Sequence, residues 1–346
     1  NLNSPLARKE YIMLARDIVE LILEKRSHQP QPNSAKAFAP TNIALIKYWG
    51  KRDAVLNLPR TDSLSISLAH KGTTTSLEIT QSNQDEFWLN NELQPTDSAF
   101  SQRLTEFINL FRFNNEHYKI QSESNIPLAA GLASSAAGFA SLIKAFNALY
   151  AWELDSAQLS ILARLGSGSA CRSIHNGFVW WQKGLLADGM DSYAVPLEST
   201  WNELCVGLLI FDKKPKAIGS REAMQRTVKT SYLFENWPQQ VAHDLSAIHE
   251  AILTHDFKRL GEISEHNALS MHATMLSAWP PIVYSNIETL QAMNKIWELR
   301  KQGLNLYFTQ DAGPNLKLLF LKQDHAAVLE NFPGLEVVEV FSSQQA

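Results

Sequence analysis

The sequence is poor in the features that define several classes of protein. Only two of its 346 residues are cysteine, Cys171 and Cys205, which is too few for a disulfide framework or a cysteine-based zinc site. No apolar run approaches the roughly 18 residues that a membrane-spanning helix needs. Charged residues make up 19% of the chain and the formal net charge is −4, without a basic block of the kind that lines a nucleic-acid groove. The composition therefore predicts a globular protein of the reducing cytoplasm, with no nucleic-acid or membrane partner.

Several catalytic motifs are present only in incomplete form. The segment PLAAGLASSAAG at 127–138 has no lysine beside its last glycine, where a P-loop has one. The segment GSGSACRS at 166–173 has Cys171 in place of the third glycine of a dinucleotide fingerprint, and a predicted strand follows it instead of preceding it. His249 and Glu250 lack the second histidine of HExxH, and neither serine-rich loop contains GxSxG.

What is present is an α+β pattern with segregated strands and helices. Residues 5–26 have the apolar spacing of a helix and are followed by the polar, proline-containing HQPQPNSAK, which predicts a helical extension and linker over 1–34. Alternating and β-branched segments from Ala35 onward predict the strands of an N-terminal lobe over 35–200. A second lobe over 201–346 is expected to begin with the apolar strand ELCVGLLIFD, continue through helices, and end in the short strands NLYFTQ and NLKLLFL.

The Gly/Ser-rich segment has two interpretations. Ser134 and Ser135 precede a predicted helix, whose N-terminal N–H groups favour an anion, and a serine hydroxyl adds a donor or a magnesium ligand. Serine is also the ordinary N-cap of a helix, and alanine-rich turns pack closely without any functional reason. The segment alone leaves both interpretations open.

Three charged residues are candidates of the same kind. Lys47 ends an apolar strand, so its ammonium group is either merely solvated, part of an anion site, or a Schiff-base nucleophile. Arg172 has the planar fork that grips a carboxylate, although an arginine at a domain surface is equally ordinary. Asp311 lies in a Gly-Pro turn, where aspartate is common; if it faced Lys47 and Arg172, it would be an ionised general base.

Taken together and in this order, four segments resemble the mevalonate diphosphate decarboxylases of the GHMP kinase superfamily. They are PTNIALIKYWGKRD, IPLAAGLASSAAG, GSGSACRS and DAGPN, and the resemblance extends from about residue 36 to about residue 321. It implies a two-lobed α+β fold with a cleft between a ribosomal-protein-like N-terminal lobe and a ferredoxin-like α/β C-terminal lobe. It also implies ATP with Mg²⁺ as cofactors, a substrate with a tertiary hydroxyl, a carboxylate and a 5-diphosphate, and a homodimer.

The resemblance also assigns roles to individual residues. Asp311 would act at the 3-hydroxyl, Arg172 would clamp the carboxylate, Lys47 would stabilise the transferring phosphoryl group, and Asn42 would support this centre. Ser135 would contact the ATP phosphates or the magnesium ion. The remaining implied contacts are, for ATP, Pro127, Ala130, Gly131, Leu132, Ala133 and Ser134, and, for the substrate, Tyr48, Lys51, Ser167, Ser169, Ser220 and Arg221.

The sequence departs from the family pattern in ways that keep alternatives open. Asp62 stands in Arg60-Thr61-Asp62-Ser63, where the family usually has Asn/Ser-Ser, and it adds negative charge near the expected anions. Phosphomevalonate decarboxylases of the archaeal type also carry an aspartate hereabouts, so mevalonate 5-phosphate is an alternative substrate. Gly219 replaces a serine before the Ser220-Arg221 pair. A kinase that stops at the 3-phosphate, a Schiff-base decarboxylase using Lys47, and an inactive binding module are the other hypotheses.

Overall fold

The structure is a computed structural model, and it describes residues 5–30, 33–126, 134–212 and 217–341, with side chains from residue 14 onward and without that of Ser134. No helix in these ranges is long and apolar enough to cross a membrane.

The N-terminal lobe is built from a sheet with helices packed on it. Its elements are α1 (Pro5–Leu23), β1 (Ser34–Ile46), β2 (Lys51–Asp53), β3 (Leu58–Pro59), β4 (Ser63–Thr80), β5 (Glu86–Leu89), β6 (Glu92–Leu93), α2 (Ala99–Ile108), β7 (His117–Ser124), α3 (Ser134–Leu149), α4 (Ser156–Gly166), β8 (Phe178–Trp181) and β9 (Ala194–Pro196). A 3-10 helix, Gly168–Ile174, connects α4 to β8.

The long strand β4 organises this lobe. It pairs along one side with β1, and on its other side first with β8 and then with β7, all antiparallel. The segments SLSISLAH and GTTTSLEIT, predicted separately, are therefore one continuous strand. Ser63, Ser65 and Ser67 alternate with Leu64 and Ile66 along it and are all buried, so the half of β4 nearest the second lobe presents hydroxyl groups on one face.

The C-terminal lobe is an antiparallel sheet covered by helices. Its elements are β10 (Leu204–Leu209), α5 (Ser220–Thr230), α6 (Trp237–Leu253), α7 (Phe257–Leu276), α8 (Ile287–Lys301), β11 (Tyr307–Gln310), β12 (Leu316–Leu321), α9 (His325–Asn331) and β13 (Glu336–Glu339). The sheet has the order β11-β12-β10-β13. The prediction that two short strands close the chain missed β13, whose short sequence EVVE carries a weak strand signal.

The N-terminal helix packs on the first lobe. Ile18, Val19 and Leu23 are buried in the same cluster as side chains of α3 and α4, and the guanidinium of Arg26 donates to the carbonyl oxygen of Trp152 at 2.8 Å. The helix was predicted as an appendage, but its apolar face continues the core of the N-terminal lobe. The boundaries 1–34, 35–200 and 201–346 stay predictions.

One of the apolar clusters among the described residues spans the two lobes. Ile43 and Leu64 from the N-terminal sheet share a cluster with Leu245, Met271 and Leu319 from the C-terminal lobe. Oγ1 of Thr309 in β11 donates to the carbonyl oxygen of Ala44 in β1 at 3.3 Å, so the ends of these two strands lie together where the lobes meet.

Candidate active site at the junction of the lobes

Lys47 lies at this junction, directly after β1. Its side chain is only 2% exposed, and its Nζ donates to the carbonyl oxygen of Ala44 at 2.7 Å and to Oδ1 of Asp311 at 2.7 Å. Its backbone N–H donates to Oδ1 of Asn267 in α7 at 2.8 Å. Burial lowers the pKa of Lys47 to about 8, although Asp311 opposes that shift. The lysine is therefore held by both lobes.

Asp311 follows β11 and is flanked by two lysines. Its Oδ2 lies 2.9 Å from Nζ of Lys317, which is 3% exposed, while Asp311 itself is 29% exposed. Thr309 pairs with Lys317 across β11 and β12, and Asp311 is two residues farther along, so both charged side chains reach the same side. Burial would raise the pKa of Asp311, but the two lysines hold it far below its ordinary value. The carboxylate is ionised throughout the neutral range.

Lys317 and His272 are site residues that the sequence analysis missed. His272 in α7 is buried, and its Nε2 donates to the backbone carbonyl oxygen of Asp311 at 3.1 Å. Burial lowers the pKa of His272 to about 4, so the ring is neutral at pH 7. A single lysine within the apolar segment NLKLLFL was the available signal for Lys317, because charge inside a buried strand needs a partner.

Arg172 lies in the 3-10 helix and is buried, but it forms no ion pair with Asp311. Its Nε donates to Oδ1 of Asn42 at 3.0 Å and its Nη1 to Oγ of Ser63 at 2.6 Å. The amide of Asn42 in turn donates to Oγ of Ser173 at 2.7 Å. These neutral partners orient the guanidinium and leave its charge uncompensated, so it retains the capacity to bind a carboxylate.

A second cluster of positive charge lies beside Tyr48 and consists of Lys51, Arg103 and Arg221. Nζ of Lys51 donates to Oδ1 of Asn57 at 2.5 Å. Burial, together with the nearby cations Arg221 and Arg103, lowers its pKa to about 7. The hydroxyl oxygen of Tyr48 is buried and has no hydrogen-bond partner within the described ranges. The group therefore suits an anion with several acceptor oxygens.

The glycine of GSGS fits closely against this group. A Cβ atom on Gly168 would lie 2.7 Å from the hydroxyl oxygen of Tyr48, so any larger residue would displace the tyrosine. Of its serine neighbours, Ser167 donates through Oγ to Oγ of Ser135 at 3.3 Å, and the backbone oxygen of Ser169 accepts from Asn42 at 3.4 Å. Ser220 begins α5, with Gly219 as N-cap.

The remaining predicted nucleotide contacts cannot be placed. Residues 127–133, which include Pro127, Ala130, Gly131, Leu132 and Ala133, and the side chain of Ser134 lie outside the described residues. Ser135 is half-buried in the first turn of α3, which is the position expected for a hydroxyl at a helix N-terminus.

Both carboxylate oxygens of Asp62 accept hydrogen bonds from other residues of the protein. Its Oδ2 accepts from Nε1 of Trp180 at 3.0 Å, and its Oδ1 accepts from the backbone N–H of Lys183 at 2.9 Å. The carboxylate therefore ties the start of β4 to β8.

The two-lobed α+β architecture, shared with solved mevalonate diphosphate decarboxylases, is that of the GHMP kinase fold. Two family models match: a diphosphomevalonate decarboxylase-like N-terminal domain over residues 39–194, and a mevalonate 5-diphosphate decarboxylase C-terminal domain over residues 206–343. The chain belongs to the diphosphomevalonate decarboxylase family.

Individual relatives agree with this assignment. The diphosphomevalonate decarboxylase of Candida albicans is 38% identical over 314 residues, covering 86% of each protein. The crystal structure of mevalonate diphosphate decarboxylase from Staphylococcus aureus superposes with a TM-score of 0.85 at 38% identity, covering 90% of this chain and 96% of that one. The protein designated MDDEF, solved in complex with MVAPP, AMPPCP and magnesium, gives a TM-score of 0.82 at 42% identity, covering 88% and 95%.

Proposed function

We infer that this protein catalyses the ATP-dependent decarboxylation of mevalonate 5-diphosphate to isopentenyl diphosphate, ADP, phosphate and CO2. The observation that carries this inference is the carboxylate of Asp311, held ionised between Lys47 and Lys317 at the junction of the lobes. A family member with MVAPP, an ATP analogue and magnesium bound supports the same pair of ligands.

In the proposed reaction, the 3-hydroxyl oxygen attacks the γ-phosphorus of ATP and ADP leaves. Asp311 accepts the hydrogen bond of that hydroxyl and takes up the hydroxyl proton as the P–O bond forms. The C–O bond to the new phosphate then breaks, the C–C bond to the carboxylate supplies the electron pair of the new double bond, and CO2 leaves. We assign Lys47 to stabilisation of the charge that develops on the phosphoryl oxygens.

Arg172, oriented by Asn42, is proposed to bind the substrate carboxylate. The diphosphate is assigned to Tyr48, Lys51 and Arg221, with further hydrogen bonds from Ser167, Ser169 and Ser220. Two observations support this assignment. A bound anion would accept a hydrogen bond from the unpartnered hydroxyl of Tyr48. It would also offset the positive charges around Lys51, whose pKa is lowered.

Magnesium fits the donor set at the start of α3. The hydroxyl of Ser135 is a hard oxygen ligand of the kind Mg²⁺ accepts beside phosphate oxygens. Within the ranges that the structure covers, no group of three His, Cys, Asp or Glu side chains that could hold a metal is found, so phosphate oxygens would provide the other contacts. When bound, the ion supplies charge neutralisation for phosphoryl transfer.

A Schiff-base mechanism is less consistent with this geometry. Nζ of Lys47 is already bonded to Asp311 and to a backbone oxygen, and an ion-paired ammonium is a poor nucleophile. Borohydride added with substrate is expected to trap no adduct on Lys47.

The decisive experiment measures ADP and CO2 release with mevalonate, its 5-phosphate and its 5-diphosphate in parallel. We expect both products only with the 5-diphosphate. ADP without CO2 would indicate a 3-kinase, turnover of the 5-phosphate would indicate the phosphomevalonate alternative, and CO2 without ATP would refute the mechanism.

We also propose a cytoplasmic homodimer, for which light scattering after gel filtration should give twice the chain mass of 38.9 kDa.

A further inference from the structure

Beyond helping to keep Asp311 ionised, Lys317 has been given no part in the reaction, although it touches the carboxylate on which the reaction depends. Its Nζ lies 2.9 Å from Oδ2 of Asp311, and its side chain is 3% exposed. A buried lysine is costly unless its charge is compensated. Lys317 is therefore a second buried cation against a carboxylate whose other oxygen is already paired with Lys47.

The local charge is unbalanced as a result. Lys47 and Lys317 place two ammonium groups against one carboxylate, and the guanidinium of Arg172 is close enough to both Lys47 and Asp311 to interact electrostatically. Among the described residues, the other titratable group that faces Asp311 is His272, which contacts the backbone oxygen of Asp311 and is neutral at pH 7. An excess of positive charge in this place suits a phosphoryl group and a carboxylate arriving together.

The two lysines also fix the orientation of the carboxylate. A carboxylate with a donor on one oxygen rotates about its terminal torsion, whereas donors on both oxygens, here from β12 and from the end of β1, define its plane. Each oxygen keeps a further acceptor position, and the 29% exposure of Asp311 leaves one side of the group open.

We propose that Lys317 is a positioning residue of the reaction, whose ammonium group holds Oδ2 of Asp311 so that the carboxylate stays ionised and presents a fixed oxygen to the 3-hydroxyl. This proposal rests on the proposed function. It assigns Lys317 no contact with substrate.

The test is the pH dependence of kcat/KM for the 5-diphosphate. Lys317→Met removes the charge and keeps the length of the side chain. Without that cation, Asp311 protonates at a higher pH, so the acid limb of the profile should move upward by about one pH unit or more. Loss of the fixed orientation of the carboxylate should separately lower kcat on the neutral plateau by about tenfold or more. Lys317→Arg keeps the charge and should return the limb toward the wild-type position.

Two controls isolate this effect. Lys322 follows the same strand and pairs with Glu339 at 2.9 Å, away from the site, so Lys322→Met should leave the profile unchanged. His272 would also titrate at a higher pH once Lys317 is gone, because Lys317 contributes to lowering its pKa. The shift must therefore persist when Lys317→Met is introduced into His272→Gln.

An acid limb at the wild-type position in Lys317→Met, or one that stays displaced in folded Lys317→Arg, would overturn the proposal. If Lys317→Met does not fold, as judged by circular dichroism, Lys317→Gln keeps a donor without the charge and is read by the same criteria. Release of ADP and CO2 by the wild-type protein establishes the proposed function separately, so a negative result for Lys317 leaves it intact.

Discussion

Asp311 is the residue on which the proposed chemistry depends most. We expect Asp311→Asn to lower kcat by about a thousandfold or more, because the amide neither accepts the hydroxyl proton nor balances the two lysines. Nucleotide binding, measured by calorimetry, should persist. Near-normal turnover would refute the assignment.

Arg172 differs in that it should affect binding and turnover together. Arg172→Lys is expected to raise the KM for substrate and to lower kcat by about tenfold or more each, since an ammonium group cannot keep the contacts with Asn42 and Ser63 while gripping a carboxylate. Steady-state kinetics at saturating ATP provide the measurement. An unchanged KM would show that the carboxylate binds elsewhere.

Lys51 gives substrate binding a pH dependence. Its folded-state pKa of about 7 lies below the ordinary value, so the free protein loses this positive charge as pH rises through 7. The KM for the 5-diphosphate should then rise with pH, by up to about tenfold per unit, while the KM for ATP stays level. Lys51→Arg, which stays charged, should flatten the rise. A wild-type KM that is already flat would contradict the role.

At the scale of single elements, α1 offers a matched pair of leucines. Leu23 is fully buried against the N-terminal lobe, whereas Leu21, two residues earlier, is 57% exposed. Leu23→Ala should lower the free energy of unfolding by about 2–5 kcal/mol, because it leaves a cavity. In urea titrations Leu21→Ala should change it by less than about 0.5 kcal/mol. Equal effects would mean that the helix is not docked in solution, and neither change should alter KM.

The strands show how far sequence reasoning reached and where it ended. Lys47 and Asp311 were predictable as candidates because each stands at the end of an apolar strand, where a side chain leaves the core. The sequence left open whether Asp311 faces Lys47 and Arg172. In the structure Asp311 does pair with Lys47, but its second partner is Lys317 and not Arg172. The contact between Asp311 and Lys317 depends on the register of β11 with β12 and on the turn between them. The sequence pattern of either strand does not show which residue of the other strand lies beside it. The contacts of Asp62 with Trp180 and Lys183 depend in the same way on the pairing of β4 with β8.

At the scale of the whole molecule, the shared core should make the lobes unfold together. Side chains of both sheets occupy one cluster, and Lys47 is bonded through its backbone to α7. Calorimetry should therefore show a single transition. Leu23→Ala in the first lobe and Phe320→Ala in the second, whose side chain is fully buried, should each lower that one transition temperature. Two separable transitions would contradict this prediction.

The side-chain hydrogen bond between Ser167 and Ser135 links the part of the site assigned to substrate with the part assigned to nucleotide. If either ligand draws one hydroxyl to its own phosphate, the bond is broken and the other hydroxyl is released at the same moment. The ligand that binds second then finds the other hydroxyl already free, because the free energy of breaking the Ser167–Ser135 hydrogen bond was supplied when the first ligand bound. Thermodynamic reciprocity requires the gain to be mutual: whatever factor the diphosphate adds to the affinity for nucleotide, nucleotide adds to the affinity for the diphosphate. With these assignments, one hydrogen bond between two serine side chains would make the binding of substrate and the binding of nucleotide favour each other.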